Sequence, residues 1–145
     1  MELLKIDKQI LENIHKELIN DEVKEVAQFQ NDYYEKIGFT LPWIGYFAKE
    51  DNQIVGACSF DGAPENNIVE IFFYTFAEFE NRGYATSMVK ELMSITKNEN
   101  TNVWITARTL PKDNASTKVL KKCNFELTGT ANDSNDGIVW EWIFR

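Results

Sequence analysis

Apolar positions along the chain keep changing their period, and each change marks an element. "LLKI" (Leu3 to Ile6) reads as a short strand. From Lys8 to about Asn20, Ile10, Leu11, Ile14 and Leu18 recur at helical spacing. Asp21 stands as the N-cap of a second helix reaching about Lys36, which Gly38 stops and Pro42 cannot continue. "WIGYFAKE" (Trp43 to Glu50) and "QIVGACSF" (Gln53 to Phe60) flank Asp51-Asn52, the pattern of a β-hairpin. "NIVEIFFYTF" (Asn67 to Phe76) is almost wholly apolar and β-prone, which puts it in the middle of a sheet. Helical spacing returns from Arg82 to about Thr96, with Tyr84, Met88, Leu92 and Ile95 along one face. Asn102 to Leu110 is a further strand, and Pro111 and Asp113 open a helix that runs through Cys123. Two last strands, about Phe125 to Thr128 and Gly137 to Phe144, are separated by the turn-rich loop Gly129 to Gly137.

Strands first paired by a hairpin and then alternating with helices predict an α/β (α+β) fold. The expectation is a mixed central sheet of about seven strands flanked by about four helices, in a single domain over residues 1–145. Hydrophobic residues at 43% and charged residues at 26% are ordinary for a globular chain of 145 residues. The formal net charge of -8 argues against nucleic-acid binding, which needs a basic face to neutralise phosphates. No stretch approaches the length of a membrane span, and no apolar run at the N-terminus resembles a signal peptide. Cys58 and Cys123 both sit in apolar surroundings, so they read as buried reduced thiols of a cytoplasmic protein. Two cysteines and a single histidine, His15, show no ligand spacing, so no metal site is expected.

One stretch raises a chemical question. In "FENRGYATSMVKEL" (Phe79 to Leu92), small residues stand where the buried strand hands over to a helix. A helix N-terminus carries unpaired N–H groups and the positive end of the dipole. Gly83 and Ala85 remove bulk in front of those groups and Arg82 adds charge, which is the physics of a pyrophosphate cradle. The plainer alternative, that Gly83 only eases a turn, stays open on spacing alone. A G-x-G-x-x-G fingerprint and a G-K-[ST] phosphate loop are both missing.

In this setting "ENRGYAT" resembles the acetyl-coenzyme A loop of the GNAT superfamily of N-acetyltransferases, [QR]-x-x-G-x-[GA]. "NASTKVLKKCNFELTG" (Asn114 to Gly129) resembles that family's following segment, N-x-x-S-x-x-V-L-x-K-x-G-F. The second block is most similar to the branch that includes enzymes acetylating ribosomal-protein N-termini. The resemblance implies an acyltransferase that moves an acetyl group from acetyl-CoA to a primary amine, on a small molecule or a peptide. It implies acetyl-CoA contacts at Phe73, Thr75, Asn81, Arg82, Gly83, Tyr84, Ala85, Thr86, Asn114 and Ser116. A monomer or homodimer without membrane or nucleic-acid partners is expected. Four positions depart from the family pattern. Glu80 opens the loop in place of Gln or Arg, Asp113 and Asn114 compete for the helix cap, Asn124 replaces a glycine, and Leu120 stands where many members carry an acidic tyrosine. The second reading is therefore a catalytically weak CoA-binding or interaction module of the same fold.

Glu70 is the candidate general base, because it is the one charged side chain in a ten-residue apolar strand. It also matches a glutamate that family members often carry there. The bland reading is an exposed carboxylate on a half-solvated face. Strand parity sets Glu70, Phe72 and Tyr74 on one face and Thr75 on the other, so a bulge would be needed to aim Glu70 and Thr75 together. Glu141, between Trp140 and Trp142, is the next carboxylate. Tyr33, Tyr34 and Trp43 surround the region that covers the acceptor pocket in the resembled fold, and His15 reads as a surface or packing residue.

Overall fold

The computed structural model describes residues 1–145. Seven strands form one sheet: β1 (Glu2–Lys5), β2 (Gly45–Glu50), β3 (Gln53–Phe60), β4 (Ile68–Thr75), β5 (Trp104–Thr109), β6 (Glu126–Asp133) and β7 (Gly137–Phe144). Four α-helices accompany them: α1 (Ile10–Asn13), α2 (Asp21–Ile37), α3 (Tyr84–Glu99) and α4 (Ala115–Lys122). The spatial order is β1-β2-β3-β4-β5-β7-β6, so the apolar β4 is the central strand, as its composition requires. Only β4 and β5 pair in parallel, joined through α3; every other pair is antiparallel. No helix is long and apolar enough to cross a membrane.

Cross-strand register decides which side chains share a face. Gly45 pairs with Ser59 and Ser59 with Phe72, and a Cβ on Gly45 would meet the Gln30 side chain of α2. Glu70, Phe72 and Tyr74 therefore lie on the α2 side of the sheet. Gly56 pairs with Thr75, and a Cβ there would reach Met88 of α3. Val69, Ile71, Phe73 and Thr75 thus face α3. Tyr34 locks α2 in place, its hydroxyl donating to Ile6 O at 2.7 Å and accepting from Gly45 N at 2.9 Å.

Three elements differ from the sequence reading. The expected first helix is a single turn, Ile10–Asn13, followed by a 3-10 turn at Lys16–Leu18. Gln9 provides no side-chain cap, and Ile14 and His15 are extended between the turns. Ile10 still reaches the core while Leu11, Ile14 and Leu18 pack half-buried against it. Asn20, rather than Asp21, caps α2 by accepting from Val23 N at 2.9 Å, and Asp21 is the first helical residue. The stretch from Gly129 onward is no loop: β6 continues to Asp133 and only Ser134–Asp136 turn. Asp133 closes that turn by accepting the Asn135 and Asp136 N–H groups at 2.9 and 3.2 Å. Cys58 and Cys123 are buried free thiols, both pushed up in pKa by burial.

Candidate active site

β4 and β5 are paired only over Ile68–Trp104, Val69–Ile105 and Glu70–Thr106. Beyond that point the strands part, although β4 runs on to Thr75 and β5 to Thr109. Along a strand, successive residues aim their N–H and C=O groups at opposite edges. Glu70 O accepts from Asp61 N and Phe76 N donates to Val55 O on the β3 side, while Asn67 O accepts from Trp104 N on the β5 side. By that alternation the Ile71 N–H closes the ladder on Thr106, and the Ile71 carbonyl and the backbone groups of Phe73 and Thr75 point into the opening. Glu70 stands at its vertex.

Below β4 on the α3 side lies a groove of about 380 Å³. Its walls are Phe73 and Thr75 of β4, the turn residues Glu80, Asn81 and Gly83, the first turn of α3 (Tyr84, Ala85, Thr86), and Ala115, Ser116 and Lys118 of α4. Gly83 is the N-cap of α3, with φ 81 and no side-chain cap bond, and Asn81 also has a left-handed φ of 64. The two flank Arg82, the alternating backbone of an anion-binding nest. The first helical bond is Ser87 N to Gly83 O, so the N–H groups from Asn81 to Thr86 stand ahead of the ladder. A Cβ on Gly83 would meet nothing within 4 Å, so the space before these amides is open. The Thr75 hydroxyl is buried and has no hydrogen-bond partner. Open amides and an orphaned hydroxyl in one groove fit a long ligand carrying phosphate and amide groups.

Two expected contacts lie outside the groove lining. The Arg82 guanidinium sits over the Phe79 ring at 5.7 Å. Asn114, not Asp113, caps α4, accepting from Thr117 N at 3.0 Å while Thr117 Oγ1 accepts from Asn114 N at 2.9 Å. Asp113 is exposed and pairs with Lys121 at 3.5 Å. Lys118 is a groove cation that the sequence reading did not single out. Asn124 has a left-handed φ of 66, which accounts for its standing in a glycine position. Leu120 is fully buried in the core.

On the α2 side, Glu70 is joined by residues from three more strands. Arg108 Nε lies 4.0 Å from Glu70 and 3.5 Å from Glu141, and a terminal nitrogen of Arg108 lies 3.4 Å from Asp133. Burial pushes the Glu70 carboxyl above the usual carboxylate range; Asp61, Glu141 and Asp133 add to the rise and Arg108 opposes it. The Tyr33 hydroxyl donates to Asp61 at 2.7 Å, and burial together with the Asp61 and Glu70 charges pushes its pKa up to about 12. No bulge interrupts the register of β4 with β3, so Glu70 and Thr75 stay on opposite faces. The parting of β4 from β5 makes a bulge unnecessary, because the open strand edge adjoins both faces. Tyr34 and Trp43 are buried packing residues, Trp43 edge-on to Phe60 at 5.0 Å, and His15 is exposed.

The sequence profile of the GNAT acetyltransferase domain matches residues 6–126. The chain belongs to the GNAT acetyltransferase family. No curated protein sequence matches it. Among solved structures, this GNAT chain is similar to the ribosomal-protein alpha-N-acetyltransferase RimL in complex with coenzyme A, at TM-score 0.70 and 17% identity, over 98% of this chain and 92% of that one. It is similar to the aminoglycoside acetyltransferase AAC(6')-Ib in complex with coenzyme A, at TM-score 0.70 and 16% identity, over 98% and 92%. A putative streptothricin acetyltransferase from Bacillus anthracis in complex with acetyl coenzyme A matches at TM-score 0.63 and 20% identity, over 77% and 67%. At such identities the likeness speaks for the fold.

Proposed function

We propose that residues 1–145 act as one N-acetyltransferase domain that moves an acetyl group from acetyl-CoA to a primary amine, with Glu70 as general base. The observation that carries this reading is the vertex geometry. The β4–β5 ladder ends at Glu70–Thr106, beside the unpaired amides of Phe73 and Thr75. Acetyl-CoA brings an activated thioester, so the chain's tasks are positioning and removal of a proton from the amine. The amides from Asn81 to Thr86 receive the pyrophosphate, with Lys118 and Ser116 facing it from α4. The β4 amides orient the pantetheine arm and polarise the thioester carbonyl. Glu70 accepts the ammonium proton at the vertex. The freed amine attacks the thioester carbonyl, the C–N bond forms as the C–S bond breaks, and the second nitrogen proton leaves to the departing thiolate through solvent, since position 120 offers no phenol.

The acceptor side is acidic and aromatic. Phe72 and Tyr74 of β4 are 41% and 54% exposed beside Glu70, and Phe29 of α2 is 68% exposed and stacked on Tyr33. Asp61, Glu141 and Asp133 surround this face with one cation, Arg108, among them. Such a face favours a cationic amine on a small molecule or peptide, and disfavours one bearing a carboxylate next to the amine. Free thiol released from acetyl-CoA by the purified protein, across a panel of diamines, arylalkylamines, peptides and amino acids, tests the reading. Release with none of them, in protein that binds coenzyme A, would favour the non-catalytic module. A monomer or homodimer in the cytoplasm fits this role.

Glu80 lines the groove and is exposed. Glu80→Gln removes a negative charge near the phosphate site without changing shape. Coenzyme A should bind more tightly, chiefly at low salt, because exposed charges are screened as ionic strength rises. Affinity that stays flat at low ionic strength would mean that Glu80 turns away from the bound phosphates.

A further inference from the structure

Three carboxylates from three strands compete for one guanidinium on the α2 face. Glu70 and Glu141 share Arg108 Nε, and Glu70 is the more distant, at 4.0 Å against 3.5 Å. Asp133 is the most firmly set of the three. The two turn amides and Arg108 hold its carboxyl below the usual range. At 4.0 Å the guanidinium attracts Glu70 without a formed hydrogen bond. A bidentate pair would fix Glu70 as a carboxylate and make it a poor base. Asp61, held by Tyr33 of α2, is the remaining charged neighbour of Glu70.

We propose that Arg108 is a positioning residue that sets the pH at which Glu70 takes a proton, and that Asp133, fixed by the β6–β7 turn, holds the guanidinium off Glu70. The link runs from a surface turn, through Asp133 and Arg108, to the vertex. It rests on the reading of Glu70 as the base, and the test separates the two.

The Glu70 side-chain carboxyl carbon is titrated by NMR in the free protein, its signal assigned by its loss in Glu70→Gln. Arg108→Gln should move the midpoint to higher pH, since the one opposing charge is gone. Asp133→Asn should move it to lower pH, since a like charge is removed and Arg108 is freed to approach. The pH–rate curve should follow: Arg108→Gln loses roughly tenfold on the acid limb and regains the parent plateau at high pH, while Arg108→Lys keeps most of the parent curve. A merely structural Arg108 would lower the plateau and leave both midpoints alone, and that result overturns the proposal, as do shifts of the same sign in both variants. If Arg108→Gln fails to fold, Asp133→Asn decides, a downward shift supporting the link and any other result overturning it. Midpoints that move as expected while Glu70→Gln keeps full turnover would leave the link standing and remove the base assignment instead.

Discussion

Glu70→Gln should lose ~10²–10⁴-fold in turnover at neutral pH while binding coenzyme A as the parent does. Glutamine keeps the size and most hydrogen bonds of the side chain but cannot take a proton. The parent rate should climb with pH through the Glu70 ionisation, which burial places above the ordinary carboxylate range, and then level off. Free amines are largely protonated at neutral pH, with pKa values of about 7.7–8.0 for α-amino groups and about 10.4 for lysine, so a base has work to do there. If Glu70 only orients a solvent-borne base, the loss is small and shrinks further at high pH. Near-normal turnover of a well-folded variant at pH 7 sinks the assignment, and Glu141 becomes the next carboxylate to test. Stability should move the other way. A carboxyl whose folded pKa is raised binds its proton more tightly in the folded state, so ionising it opposes folding. That penalty is absent below the unfolded pKa and complete above the folded one. Glu70→Gln should therefore melt above the parent at neutral pH, and the difference should close in acid.

Much of this site is local, and its local part was legible. The lone charge in "NIVEIFFYTF" picked out Glu70, and the small residues of "ENRGYAT" picked out the turn that carries the nest. The runs Gln53 to Phe60 and Gly137 to Phe144 match the bounds of β3 and β7, because β-prone residues and the turn residues before them agree with the tertiary structure. What the chain hides is whatever register creates. Arg108 is the one charge in "WITART", the same signal that marked Glu70, yet its meaning depends on pairing with Glu141 across β7. Asp133 was concealed by its neighbours, since the cluster of turn residues around it masked the end of a strand. The first helix failed for a different reason. Its apolar spacing is helical, but without a cap the core takes those residues from two separate turns. The parting of β4 from β5 leaves no mark in either strand alone.

The proposed separation of roles between faces rests on that parting. The groove proposed to hold acetyl-CoA lies on the α3 and α4 side, and the carboxylate cluster sits on the α2 side. An acidic face that drew phosphate would be self-defeating. Glu80 apart, the sheet keeps the groove amides and the acidic cluster on separate sides, and the two adjoin along an open strand edge. Substitutions on one side should then alter affinity for coenzyme A, and those on the other the rate and its pH dependence.

Gly83→Asn is expected to weaken coenzyme A binding at least about tenfold, or on the order of 1.4 kcal/mol, with little change in melting temperature. Two demands at this position can be told apart. One is conformational: φ is 81, a left-handed backbone that most side chains resist. Asparagine tolerates it, as Asn81 and Asn124 of this chain already do at φ 64 and 66. The other is spatial. Nothing in the protein lies within 4 Å of a Cβ placed on Gly83, so a side chain costs no contact in the free protein. It would instead occupy the room that a phosphate needs to reach the N–H groups from Asn81 to Thr86. Gly83→Val carries both penalties, because a β-branched residue strains in that conformation, and should lose stability as well as affinity. Calorimetry on the folded asparagine variant is the deciding measurement. Unchanged affinity would take the nest out of the binding site and leave Gly83 as a turn residue only.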